Sequence, residues 1–182
     1  MGYTHYIKSV DSPSSLEDAL KVREQISKVL HINKKFLQYE YDLPYTPENS
    51  IIFDKEGNPQ NIIRFNGIGD EGHETFYINS GLKDGFNFCK TSRKDYDVAV
   101  CECLLILKCF LNATVTSDGF SNFQGAGKPY KIGDTVKSKD IDGTWALAVR
   151  RVNKQLGTNY KFVVRSVYGG DGQYFSYVLS NK

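Results

Sequence analysis

DYDVAVCECLLILKCFLN, residues 95–112, decides how this chain must fold. Beyond Asp97 the stretch is apolar on nearly every face at helical spacing. A helix of that kind must be enclosed by the rest of the protein. We therefore expect a buried central helix, with Asp95 or Asp97 near its positive end, where the helix dipole favours a carboxylate. Cys101, Cys103 and Cys109 fall inside this segment, and Cys89 lies just before it. Residues two apart on a helix point to different faces, so Cys101 and Cys103 cannot easily share a tetrahedral metal. The four thiols read as free, small apolar groups rather than as a disulfide or metal framework.

Working outward, YTHYIKSV (3–10) alternates as a strand does and is rich in Tyr and β-branched residues. Ser14 or Ser15 can cap a helix running to about residue 31, with an apolar stripe of Leu16, Leu20, Ile26, Val29 and Leu30. IIFD (51–54) and NIIRFNG (61–67) are strands joined by a turn at Gly57-Asn58-Pro59, and ETFYINS (74–80) is another. FNFCKT before the buried helix has room for a short strand, and ATVTSDG (113–119) follows the helix as one. FSNFQGAGKPYKIGD (120–134) reads as loop. DIDGTWALAVRRVNKQLG (140–157) predicts a third helix with Trp145, Val149, Val152 and Leu156 on one face and Gly157 as its C-cap. YKFVVRSVY (160–168) and QYFSYVLS (173–180), joined by Gly-Gly-Asp-Gly, form a hairpin. This order predicts an α+β fold, a mostly antiparallel sheet packed by about three helices, in a single domain over 1–182.

The bulk properties bound the function. A chain of 182 residues, 40% hydrophobic and 24% charged, buries a core without staples. Mean hydropathy is −0.42 and no apolar run approaches 20 residues, which excludes a helical membrane span. The opening MGYTHYIKSV has no apolar leader, so a cytosolic protein is expected. Net charge is only +2, yet residues 121–182 carry ten basic and four acidic side chains. That asymmetry points to an anionic partner for the carboxyl-terminal third. Arg150, Arg151, Lys154, Lys161 and Arg165 are the candidate phosphate contacts, interleaved with Tyr160, Phe162, Tyr168, Tyr174, Phe175 and Tyr177, whose rings could stack on bases.

Other motifs carry less. GIGDEG (67–72) matches G-x-G-x-x-G in letters, but a dinucleotide loop opens a helix, whereas HETFYI reads as strand. Asp70 and Glu71 would also repel a phosphate. A tight hairpin whose glycines permit positive φ is the expectation. Lys90, Arg93 and Lys94, just ahead of the buried helix, form a candidate anion site, with Thr91 or Ser92 as the competing helix cap. The three histidines, His5, His31 and His73, lack metal-site spacing, so no metal and no cofactor is expected. His73 or His5 could serve metal-independent cleavage of RNA only if the fold brought them together.

FNGIGDEGHETF (65–76) and FCKTSRKDYDVAVCECLLILK (88–108) resemble a family of short proteins from phages and bacterial mobile elements. Those proteins share an FNGIG…HETF hairpin and an FCKT-R-K-YD stretch entering an apolar helix, and their length is similar. The family brings no agreed active site. The resemblance implies a protein acting in a bacterial host cytoplasm, most concretely an anti-CRISPR inhibitor of a type II RNA-guided nuclease, by contact with the nuclease or its DNA or RNA. A sponge for a nucleotide signal, held by Gly67–Gly72 and Lys90–Lys94, and a ribonuclease are the alternatives. No catalytic residue is assigned.

Overall fold

The computed structural model describes residues 3–11, 13–38, 51–53, 59–78, 87–123, 130–168 and 174–181. Its contacts gather into two compact units, Met1–Val115 and Thr116–Lys182. The fold is α+β.

In the first unit, β1 (Thr4–Ser9) leads to α1 (Leu16–Asn33). Ser15 caps α1 by accepting the Asp18 amide at 3.1 Å. The exposed pairs Glu17–Lys21 and Glu24–Lys28 stand at i,i+4 spacing, where solvent screens them and leaves them a minor support for the helix. Ala19, Val22, Ile26, Val29 and Leu30 form the buried face. Leu20, expected on that face, is 45% exposed, because the stripe is completed by Ala19 and Val22. The chain continues through β2 (Leu37–Gln38), β3 (Ile51–Phe53), β4 (Pro59–Gly67), β5 (Phe76–Ile78) and β6 (Asn87–Lys90).

Helix α2 (Asp97–Leu111) is the buried helix that its composition demands: every residue from Asp97 to Leu107 is buried. It ends where Asn112 turns left-handed, φ 49°. Glu102 is 2% exposed in the middle of this apolar segment. It is tolerated because Asn33 Nδ2, on α1, donates to Glu102 Oε2 at 2.8 Å, and a buried carboxylate needs such a donor. Around α2 lie two sheets, one ordered β6-β1-β7, with β7 at Thr114–Ser117, and one ordered β2-β4-β3 with β5 also on β4. The β1–β6, β2–β4, β3–β4 and β4–β5 pairings are antiparallel.

The chain enters the second unit within β7. Here α3 (Gly143–Leu156) packs with an antiparallel sheet ordered β8-β10-β9, formed by β8 (Ser121–Phe123), β9 (Lys161–Tyr168) and β10 (Tyr174–Ser180). Ser121–Phe123, expected as loop, is a strand because β10, some 50 residues later, supplies its partner: Ser176 pairs with Ser121. The Gly-Gly-Asp-Gly turn lies outside the described residues. Trp145, Ala148 and Val152 are the buried stripe of α3, whereas Val149 and Leu156 are half-buried. Asp142 caps α3 by accepting the Thr144 and Trp145 amides, and Gly157 closes it at φ 66°. The core is aromatic, with Phe120 4.8 Å from Trp145 and Phe162 4.8 Å from Tyr177 between ring centres.

Candidate functional site

The turn at GIGDEG is built by close approach more than by left-handed backbone. Only Gly69 among its glycines has positive φ, at 53°. A Cβ on Gly67 would lie 2.1 Å from the Glu71 carbonyl oxygen and 2.7 Å from Tyr96 Cδ1; one on Gly72 would lie 2.8 Å from the Gly67 oxygen. Residues Gly69–Glu71 form a single 3-10 turn, and β5 follows instead of a helix. Asp70 and Glu71 stay exposed on it. The arrangement is a folded turn with acidic side chains at its tip.

The two sequence blocks interlock. Tyr96 donates its hydroxyl to the Glu74 carbonyl at 2.8 Å, and Glu74 Oε2 accepts the Lys90 amide at 2.7 Å. Lys94 Nζ donates to the Asp70 carbonyl at 3.0 Å and lies 3.6 Å from Glu71 Oε1. Arg93 stacks over the Tyr3 ring at 3.8 Å. Lys90 is half-buried. So Lys94 and Arg93 each have a partner inside the protein, and the carboxylate of Glu71 beside Lys94 repels an incoming anion. Neither Thr91 nor Ser92 caps α2: its first residue is preceded by Tyr96, with no side-chain cap. Ser92 and Arg93 are left-handed, at φ 52° and 60°, and the Thr91 hydroxyl donates to Asp97 instead.

Beneath these blocks lies a buried polar cluster. His5, on β1, places Nε2 2.6 Å from Asp97 Oδ1 and 3.8 Å from Cys101 Sγ. Thr91 Oγ1 donates to the same Asp97 oxygen at 2.7 Å. All four side chains are buried, His5 at 1% and Cys101 at 0% exposure. A Cys-His-Asp triad needs the acid and the nucleophile on different ring nitrogens; here both meet Nε2, so the cluster is not one. His5 is also out of reach of a polymer such as RNA. His73 is exposed, and its backbone N–H and C=O are both bonded to the Asn66 side chain. His31 sits in the last turn of α1.

The four thiols are not joined in disulfides. Burial, then the nearby Glu74 carboxylate, pushes the Cys89 thiol up to about 12, and burial raises Cys103 well above its ordinary value. A thiol is reactive as thiolate, so at pH 8 a disulfide reagent is expected to titrate Cys109, the half-buried one, and leave Cys89 and Cys103 intact until denaturant is added. Rapid native titration of more than one thiol would contradict this burial. The same shift sets a sign for stability. Unfolded Cys89 ionises near 8.5 while the folded thiol keeps its proton, so its contribution is full below that pH and is lost as pH rises towards 12.

In the second unit the five candidate cations do not share one groove. Arg150 and Lys161 line a cleft of about 500 Å³ with Asn153, Tyr160, Thr135 and Ser138. Asn153 sets its wall: Nδ2 donates to the Tyr160 carbonyl and Oδ1 accepts the Tyr160 amide, both at 2.8 Å, which fastens α3 to the start of β9. Arg151 and Lys154 are exposed on α3 outside that cleft. Arg165 lines a separate trough of about 370 Å³ with Tyr168, Ser117, Asp118 and Ser176.

The trough has a definite build. Ser166 pairs with Ser176 and Val164 with Tyr177, so Arg165 is the extra residue of a β-bulge. Tyr168 lies directly opposite Tyr174, and the two are 48% and 51% exposed. Tyr160, Phe162, Phe175 and Tyr177, grouped with them by sequence, are buried core instead. On β10 alternation separates Tyr174 from Phe175 and Tyr177, but on β9 Tyr168 shares the parity of Tyr160 and Phe162, and the bulge at Arg165 turns it outward. The bulge at Arg165 and the buried histidine cluster have no local sequence signal at all.

No family model, no curated protein and no solved structure matches this chain.

Proposed function

We propose that this chain is a non-enzymatic binding protein whose carboxyl-terminal unit engages nucleic acid, alone or in the groove of an RNA-guided nuclease. One observation carries the reading. Among the described residues, Arg150, Lys154, Lys161 and Arg165 make no ion pair, while the acids of the same unit are occupied. Asp142 caps α3, Asp140 accepts the Tyr130 hydroxyl, and Asp134 accepts the Lys131 amide. Unneutralised cations on a surface are what a phosphate backbone recruits. The exposed Tyr168, which shares the trough with Arg165, and Tyr174, directly opposite Tyr168, add two ring faces on which unpaired bases stack, at about 1–3 kcal/mol per base. Single-stranded nucleic acid is therefore favoured over duplex. The likeness of the FNGIG and FCKT blocks to phage proteins directs the proposal to bacterial defence, with nuclease inhibition as the outcome.

Fluorescence anisotropy of a labelled single strand, and of a guide-loaded nuclease, read against salt concentration tests this. Four phosphate contacts predict a log–log slope of about −3. Arg165→Glu with Arg150→Glu should roughly halve that slope without changing the melting temperature, and Tyr168→Ala should weaken binding about tenfold or more at unchanged slope. A flat salt dependence would rule out a phosphate-led interface.

A further inference from the structure

We propose that His5, Asp97 and Cys101 form a zinc-binding site inside the first unit. Their donor atoms lie within 4.8 Å of one another, contributed by β1 and by the first two turns of α2. One ring nitrogen, Nε2, faces both the acid at 2.6 Å and the thiol at 3.8 Å. Asp97 Oδ2 is the second observation: it is buried and has no hydrogen-bond partner among the described residues. A carboxylate 2% exposed with one oxygen unserved is costly unless a cation meets it.

The donor chemistry selects the ion. One thiolate and one carboxylate neutralise a divalent cation, so the buried centre carries no net charge. Imidazole and thiolate suit Zn²⁺ and are poor ligands for Mg²⁺ or Ca²⁺, which take oxygen. His5 Nε2, Cys101 Sγ and one oxygen of Asp97 supply three donors, which leaves the fourth tetrahedral position to a ligand from outside this set. Zn–N and Zn–O bonds of about 2.1 Å at a tetrahedral angle set N and O about 3.4 Å apart. The 2.6 Å His5–Asp97 contact would open by less than about 1 Å to admit the ion, and the 3.8 Å His5–Cys101 separation already fits. Thr91 Oγ1, bonded to Asp97 Oδ1, is the outer partner that orients the carboxylate. Because all three side chains are buried, the metal's role there is to hold the fold: it ties residues 92 apart in sequence.

The full chain, purified reduced and without chelator, is expected to hold one zinc per molecule. Replacement by Co²⁺ should give an intense thiolate-to-cobalt absorption in the near ultraviolet. Cys101→Ser should abolish that band, while Cys103→Ser, two residues along the same buried helix, should keep it. Wild-type protein that retains no stoichiometric zinc and gives no cobalt band overturns the proposal whether or not the Cys101 variant folds. So does a band that survives Cys101→Ser.

Discussion

A Gly67→Ala chain is expected to lose about 3 kcal/mol or more of stability, which for a domain of ordinary marginal stability unfolds a large part of the population. The added methyl would stand 2.1 Å from the Glu71 carbonyl oxygen and 2.7 Å from the Tyr96 ring. Neither can yield easily. Glu71 N–H is bonded to the Ile68 carbonyl inside the 3-10 turn. Tyr96 is 0% exposed and fastened by its hydroxyl to Glu74. The two glycines beside it separate this explanation from backbone freedom. Gly69 has positive φ, and a methyl group there would meet nothing within 4 Å, so Gly69→Ala should cost only about 1–2 kcal/mol, the ordinary left-handed penalty. Gly72→Ala, with its clash at 2.8 Å, should fall between. Denaturant midpoints followed by far-ultraviolet circular dichroism order the three. If Gly69→Ala proved the worst, the turn would be held by its dihedral angles and the steric account would be wrong.

This ordering bears on how the FNGIG and FCKT blocks should be read. Their residues are held together by Tyr96, Glu74 and Lys94, and Gly67 is small because Tyr96 packs over it. Such a pattern follows from packing alone, without a ligand in the turn. Candidate phosphate contacts at Lys90, Arg93 and Lys94 lose their force for the same reason, since the cation of Lys94 faces the acidic turn and Arg93 covers Tyr3.

What was legible in the sequence is whatever local pattern dictates. An apolar segment of helical length had to be buried, and α2 is. Ser15 and Gly157 mark helix ends because a side chain, or the lack of one, satisfies terminal backbone groups. Illegible features are those made by distant partners. β8 exists through β10; Glu102 sits in an apolar helix through Asn33; His5 meets Asp97 across 92 residues. Charge reads in the same way. Composition showed that the carboxyl-terminal third is basic, but the division of Arg150 and Lys161 from Arg165 between two grooves depends on strand register and a bulge.

Trp145→Ala is expected to cost the second unit about 3–5 kcal/mol, the range for deleting a large, fully enclosed aromatic side chain. The indole is 0% exposed and lies edge-on to Phe120 and Phe162 at 4.8 and 6.2 Å. Its Nε1 donates to Ser117 Oγ at 3.1 Å, so truncation leaves a cavity and removes one of that hydroxyl's donors, the Gly119 amide remaining. Phe120 and Ser117 also line the trough that holds Arg165 and Tyr168, which makes this packing the support of the proposed interface. Trp145→Phe keeps most of the apolar volume and gives up the hydrogen bond, so it should cost about 1–2 kcal/mol. The two variants therefore separate stability from recognition. Trp145→Phe should bind single strands with the wild-type salt slope, whereas Trp145→Ala should lose binding at temperatures where the wild type still binds and regain part of it on cooling. Because the chain has one tryptophan, wild-type indole emission reports unfolding of this unit directly, and circular dichroism follows the variants. A Trp145→Ala chain that melted within about 1 kcal/mol of wild type would show that the aromatic cluster does not set this unit's stability.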